Sequence, residues 1–200
     1  MTSTARKAPW ILARSAQTAI AAAAAADAFR VVAVRDQYLH QSDASPHKSG
    51  FISMIFLYVM TLATVLFLAW LARSRHNAQE LSPQAPVPSR GWMIGAWFIP
   101  VVNLFVPRRF VLDIGRASSP SWEQKRDTTL VNLWWGAWTT HALVLVVAQQ
   151  AAPGSMTLLV AAEALMIAAA VLLAFVIERI TALQSAALST TAPVAPFPRA

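Results

Sequence analysis

Two groups of residues in this chain have the types and spacing to do chemistry. The first is His141 with Glu163, each interrupting a long apolar run. The joint between the runs, Gln149-Gln-Ala-Ala-Pro-Gly154, is short, which makes them an antiparallel helical hairpin. His141 lies about ten residues before the turn and Glu163 about nine after it, so at ~1.5 Å per residue both sit roughly 14–15 Å from it. The spacing predicts that they meet at similar depth on adjacent helices. An imidazole beside a carboxylate in an apolar setting suits a proton-responsive pair or a substrate contact. The same two groups also suit a structural interhelical hydrogen bond, worth roughly 0.6–2 kcal/mol.

The second group is a basic-aromatic layer: Arg73, Arg75, Asn77, Trp92, Trp97, Asn103, Arg108, Arg109 and Asp113. Guanidinium forks match phosphate and carboxylate geometry, and indoles favour the headgroup level of a bilayer. The layer is therefore expected to dock an anionic headgroup, a peptide or a partner helix. Asn103 stands close to Pro100, where its side chain is expected to satisfy backbone carbonyls that the proline frees. Gly91 and Gly95 form a small-xxx-small pair that permits close helix approach. His40, Asp43 and His47 are the nearest approach to a metal-ligand set, but no second-shell partners are identifiable and no metal is assigned. No Walker, Rossmann, HExxH or GxSxG pattern occurs, and no nucleophile–base set suits a lipid-modifying enzyme. The expectation is a noncatalytic protein without a cofactor. Cysteine is absent, which removes disulfides, thiolate metal sites and palmitoylation.

The elements that must position these residues follow from composition. Of 200 residues, 56% are hydrophobic and 12% charged, against about 25% charged in a typical soluble domain. That is too little polar surface to coat a water-soluble globule, and the apolar residues arrive in long blocks. The net charge of +7 reads as positive-inside loops and affinity for anionic lipid, not as a nucleic-acid surface.

The blocks predict an all-α integral membrane protein with transmembrane helices at about residues 10–34, 51–72, 129–149 and 156–178, in one membrane domain spanning 10–184. The first block holds the alanine-rich Ala19–Ala26 stretch and is interrupted by Arg14, Gln17, Asp27 and Arg30. Arg14, Ser15 and Gln17 break the apolar core that a signal peptide needs, so a retained helix is expected. Residues 91–117 are read as a short re-entrant or interfacial segment between the second and third crossings. Its apolar part, Gly91–Pro107, is at the lower length limit for a crossing, contains Pro100, and has Arg90 on one flank and Arg108 and Arg109 on the other. Pro107 suits the first turn of a new helix, on which Phe110, Val111 and Ile114 share an apolar side and Arg109 pairs with Asp113. Residues 185–200, rich in Ala, Thr and Pro, are expected to be disordered.

With four crossings the basic segments fall on one side, which should be cytoplasmic, with both termini there and residues 1–9 forming a cytoplasmic N-terminus. Trp10, Trp70, Trp92, Trp97, Trp122, Trp134 and Trp135 fall at that same interface, and Trp138 one turn deeper.

Four strings carry a family resemblance. They are Phe67-Leu-Ala-Trp-Leu-Ala-Arg-Ser-Arg-His-Asn-Ala78, then Gly91-Trp-Met-Ile-Gly-Ala-Trp-Phe-Ile-Pro-Val-Val-Asn-Leu-Phe-Val-Pro107 with Asp113, then Leu133-Trp-Trp135, and Arg179-Ile-Thr-Ala-Leu-Gln184. Together they resemble the bacterial membrane family called domain of unknown function 4328, common in actinobacteria, over about residues 51–184. The second string is the specific one. The resemblance implies a multi-pass fold in a bacterial plasma membrane and implies no activity. Two functions then compete. One is a noncatalytic module that binds a protein partner or anionic lipid at its cytoplasmic face. The other is a small transporter or channel, with His141 and Glu163 as its polar site and a homo-oligomer as one form.

Overall fold

The computed structural model describes residues 8–39, 46–152 and 155–190, with side chains of 33–49 outside that description. All regular structure among the described residues is helical. The helices are α1 (Trp10–Leu39), α2 (Pro46–Leu81), α3 (Arg90–Gly95), α4 (Pro100–Asn103), α5 (Val106–Ser118), α6 (Gln124–Gln150) and α7 (Met156–Thr190). The expectations for residues 1–7, His40, Asp43 and 191–200 fall outside the described residues.

Three helices are long and apolar enough to cross a membrane, in the ranges Gly50–Leu81, Gln124–Gln150 and Met156–Thr190. They leave large apolar side chains such as Leu57, Tyr58, Leu143, Val160 and Phe175 exposed, a surface that water does not tolerate over this extent. α1 is 30 residues long but is not one of the three. Its polar interruptions have found partners instead. Arg14 pairs with Glu178 of α7 at 2.9 Å, and Gln17 Nε2 donates to Ala174 O at 2.9 Å. Ala13, Ala16, Ala19 and Ala23 are buried along one face of α1. The alanine run is thus a close-packing stripe, in which small side chains let backbones approach.

α1 packs on α2 and on α7, and α6 packs on α7. α2 and α6 approach each other far less closely, and aromatic side chains stand between them. Phe67 lies 5.4 Å from Trp97 and 6.4 Å from Trp134, ring centre to ring centre. Trp135 lies 6.1 Å from Trp97 and 5.2 Å from Trp134.

Residues 90–105 form no continuous helix. Ser89 caps α3 through its hydroxyl, which accepts from Trp92 N at 3.4 Å. Pro100 then opens α4, since its missing N–H costs nothing in a first turn. Pro107 sits in the first turn of α5, whose Phe110, Val111, Leu112 and Ile114 are buried while Arg109 and Arg116 face out. Gly91 and Gly95 have open space where a Cβ would stand, so the expected close helix approach is not there. A close contact of another kind occurs at Gly115, where a Cβ would come 2.2 Å from the ring of Trp122 in the loop between α5 and α6.

Two of the expected boundaries are corrected. α2 continues to Leu81, past its apolar block. α7 continues to Thr190, so residues 185–190 are helical and not disordered. In both cases good helix formers extend the helix beyond the apolar run, and Ala78 and Leu188 are buried there.

A buried polar network ties four helices at one end. Gln184 Nε2 donates to Ser74 O at 2.8 Å and to Ser118 Oγ at 2.9 Å, and its Oε1 accepts from Asn77 Nδ2 at 3.2 Å. Trp70 Nε1 donates to Thr181 Oγ1 at 3.0 Å. Arg179 clasps Asp127 with Nε to Oδ1 and Nη2 to Oδ2, each 3.0 Å. Asp127 also reaches back to accept from Glu123 N at 2.9 Å, closing the start of α6. Asp127 is only 1% exposed, so it depends on its counter-ion. Arg179→Ala should lower stability by about 3–5 kcal/mol, read from denaturant unfolding of the purified protein. The double variant D127A/R179A should recover part of that loss, because no uncompensated charge then remains.

Candidate functional site

The basic-aromatic layer divides into parts once its side chains are placed. Arg73 is exposed, and no partner faces it among the described residues. Arg75 donates through Nε to Pro88 O, holding the proline loop to α2. Asn77 turns inward and belongs to the buried network with Gln184. Trp92 is 45% exposed, an indole offered to the surroundings. Arg108 donates through Nε to Asn132 Oδ1 at 2.9 Å, which joins α5 to α6. Arg109 and Arg116 flank Asp113 at 3.9 and 3.8 Å. Burial pushes the Asp113 carboxyl above the ordinary carboxylate range, and the two arginines pull it partly back.

The tryptophans are mostly not a surface. Trp70, Trp134 and Trp135 are buried, because the aromatic rings fill the space between α2 and α6. Trp135 Nε1 donates to Leu104 O at 3.0 Å, pinning the broken segment onto α6. This is where the strings singled out in sequence meet: Phe67 and Trp70, Trp97 and Leu104, and Trp134 and Trp135 are one packed unit.

Trp97 and Asn103 point into the interior. Both line a cavity of about 240 Å³ between α1, α2, α6 and α7. Trp97 Nε1 and Asn103 Oδ1 are buried and have no hydrogen-bond partner among the described residues. The expected role for Asn103, bonding carbonyls freed by Pro100, would fall to its Nδ2, which makes no hydrogen bond to a carbonyl among the described residues. The backbone meets its own needs there, through Asn103 N to Ile99 O at 2.8 Å, Leu104 N to Val101 O at 3.3 Å and Phe105 N to Val102 O at 3.1 Å.

His141 and Glu163 line a second cavity, of about 120 Å³, together with Asp27 and Arg30 of α1 and Gln149. The two are brought to one place, but they do not bond each other. His141 Nδ1 is 2.8 Å from Ala162 O, and Glu163 Oε1 is buried without a hydrogen-bond partner among the described residues. Asp27 is 2% exposed and is held by Arg30, Nη2 to Oδ1 at 2.6 Å. The Arg30 guanidinium also sits 5.0 Å from the centre of the Phe56 ring. Sequence reasoning noted Asp27 and Arg30 only as interruptions. Their spacing of three residues with opposite charge in an alanine run was the available signal. Asp127 likewise gave a signal, as a carboxylate at the edge of an apolar block.

Among the described residues no cluster of His, Asp and Glu is arranged to hold a metal. No curated protein and no solved structure matches this chain. A family model does match, over residues 30–182, and covers the broken segment, the aromatic unit and the lining of both cavities except Ile20, Ala23 and Asp27 of α1. The chain belongs to the family described as Domain of unknown function (DUF4328).

Proposed function

We propose that this chain is a noncatalytic multi-pass protein of a bacterial plasma membrane, whose basic end faces the cytoplasm and binds anionic lipid headgroups. α1, α2, α6 and α7 cross, and residues 90–118 return to the face they leave. The observation that carries the reading is unbalanced charge at one end of the bundle. Arg73, Arg90 and Lys125 lack an acidic partner among the described residues, and Arg109 shares Asp113 with Arg116. The carboxylates nearby are already engaged, Asp127 by Arg179 and Glu178 by Arg14. Each exposed cation near an anionic surface contributes about 1 kcal/mol. The apolar side chains Phe98, Val101 and Phe105, each about 70% exposed, support a broken segment that dips into lipid.

Topology is tested directly, since the chain has no cysteine. Single cysteines at Ser89 and Ser121 should both resist a membrane-impermeant maleimide on intact cells, while Gln150→Cys should react. Opposite labelling at positions 89 and 121 would mean that the broken segment crosses.

Lipid choice is read by native mass spectrometry of the full chain released from mixed micelles. Phosphatidylglycerol should be retained over phosphatidylcholine. The triple variant R73Q/R90Q/R109Q should lose that preference by at least about tenfold. Equal retention of the two lipids by the unmodified chain would overturn the reading.

One observation favours a second function, transport of a proton or small polar solute: Glu163 Oε1 is buried and unpartnered beside Asp27, Arg30 and His141. Ionisable groups at this depth commonly mark pathways. In proteoliposomes holding a trapped pH dye, this reading expects potential-driven acidification that Glu163→Gln abolishes. A flux no greater than that of empty liposomes would sink it.

A further inference from the structure

The larger cavity is walled mainly by hydrocarbon. Ala63, Phe67, Trp134, Ala169 and Leu173 line it, and no charged residue does. The Thr64 hydroxyl is spent on Met60 O at 2.9 Å, and Trp97 Nε1 and Asn103 Oδ1 are shut away from the open space. Water held in a protein needs several polar partners, which this wall does not offer. Left empty, the wall forfeits its dispersion contacts across about 240 Å³. An apolar cavity of roughly 150 Å³ is already large enough to take up benzene.

Shape and position choose among apolar occupants. The lining runs from Met60 to Leu68 along α2 and from Met166 to Leu173 along α7, or ~10–12 Å parallel to the helices. Thr64 and Phe98 line the cavity and are exposed, so its mouth opens sideways where α2 and α6 stand apart. Thr64 lies well inside the apolar run 51–72 of α2. The mouth is continuous with outward apolar surface, since Val65 and Ile99, the neighbours of Thr64 and Phe98, are exposed. At that depth the mouth is bathed in lipid tails, and any other apolar molecule must displace one. We propose that one acyl chain of a bilayer phospholipid leaves the surrounding lipid and lies in this cavity, filling the space between α2 and α6. The inference rests on the membrane reading and uses none of the basic residues that carry the headgroup reading.

The test uses the full chain in phosphatidylcholine nanodiscs in which a fraction of the lipid carries a diazirine on its acyl chain. After irradiation, peptide mass spectrometry locates the label. Ala63 and Ala169 are buried, out of reach of lipid that only surrounds the bundle, whereas Leu57 and Phe175 face outward. All four should be labelled. Ala169→Phe fills the cavity and should abolish the label at Ala63 while leaving that at Leu57. Thr64→Trp, at the exposed mouth, should do the same without burdening the core. Outward label with none at Ala63 or Ala169 overturns the proposal, the result expected if a side chain of a second copy filled the space. Inner label that survives both variants overturns it as well. So does a photoreactive free fatty acid that labels the inner positions more strongly than the phospholipid at equal mole fraction. Phosphatidylcholine has no net charge, so these outcomes leave the phosphatidylglycerol experiment unaffected. Loss of the outward label too would overturn the membrane reading itself.

Discussion

A helix broken in apolar surroundings must find partners for the backbone groups that a continuous helix would satisfy. Residues 90–105 meet that demand in two ways, and the rest of the bundle is arranged around the result. Internally, short turns close on themselves on either side of Pro100. Externally, the Trp135 indole donates to Leu104 O. That bond fixes the segment against α6, and the rings of Phe67, Trp97 and Trp134 then fill the gap that the segment opens between α2 and α6. Helices α2 and α6 stay apart because something bulky must lie between them. The cavity beside Trp97 and Asn103 is a consequence of that spacing.

The polar network at the basic end does a different job. Gln184, Asn77, Ser74 and Ser118 hold α2, α5 and α7 in one register, while Arg179 and Asp127 lock α6 to α7. These bonds are buried, where an unsatisfied partner is costly, so they favour one arrangement strongly. They leave the outward arginines, Arg73, Arg90 and Arg109, on a firm platform. The base of this end is buried polar structure, and its rim is exposed charge.

Interior polar groups fall into two kinds. Asp127 and Gln184 are satisfied and read as architecture. Ser74 Oγ, Trp97 Nε1, Asn103 Oδ1, Trp122 Nε1, Thr128 Oγ1 and Glu163 Oε1 are buried without partners among the described residues. Native proteins tolerate few such groups, and each calls for a reason. Three of them belong to cavity-lining residues: Trp97 and Asn103 line the aromatic cavity near the broken segment, and Glu163 lines the smaller cavity with Asp27, Arg30 and His141.

The sequence by itself determined the helical class, the long apolar blocks, the hairpin of α6 and α7, the break at Pro100 and the place of Pro107 in the first turn of α5. These are local properties: run length, proline stereochemistry and a short joint decide them whatever the neighbours do. Periodicity on α5 was equally legible, because an amphipathic stripe is written in the spacing of Phe110, Val111 and Ile114. The tertiary structure alone decided which side chains face which. It turned Trp70, Trp134 and Trp135 into core, sent Asn103 to a cavity instead of to the backbone, placed a close glycine contact at Gly115, and brought Asp27 and Arg30 to His141 and Glu163. Those outcomes depend on the rotation of each helix about its own axis. That rotation is set by packing against helices distant in the chain, and no single block of sequence carries it.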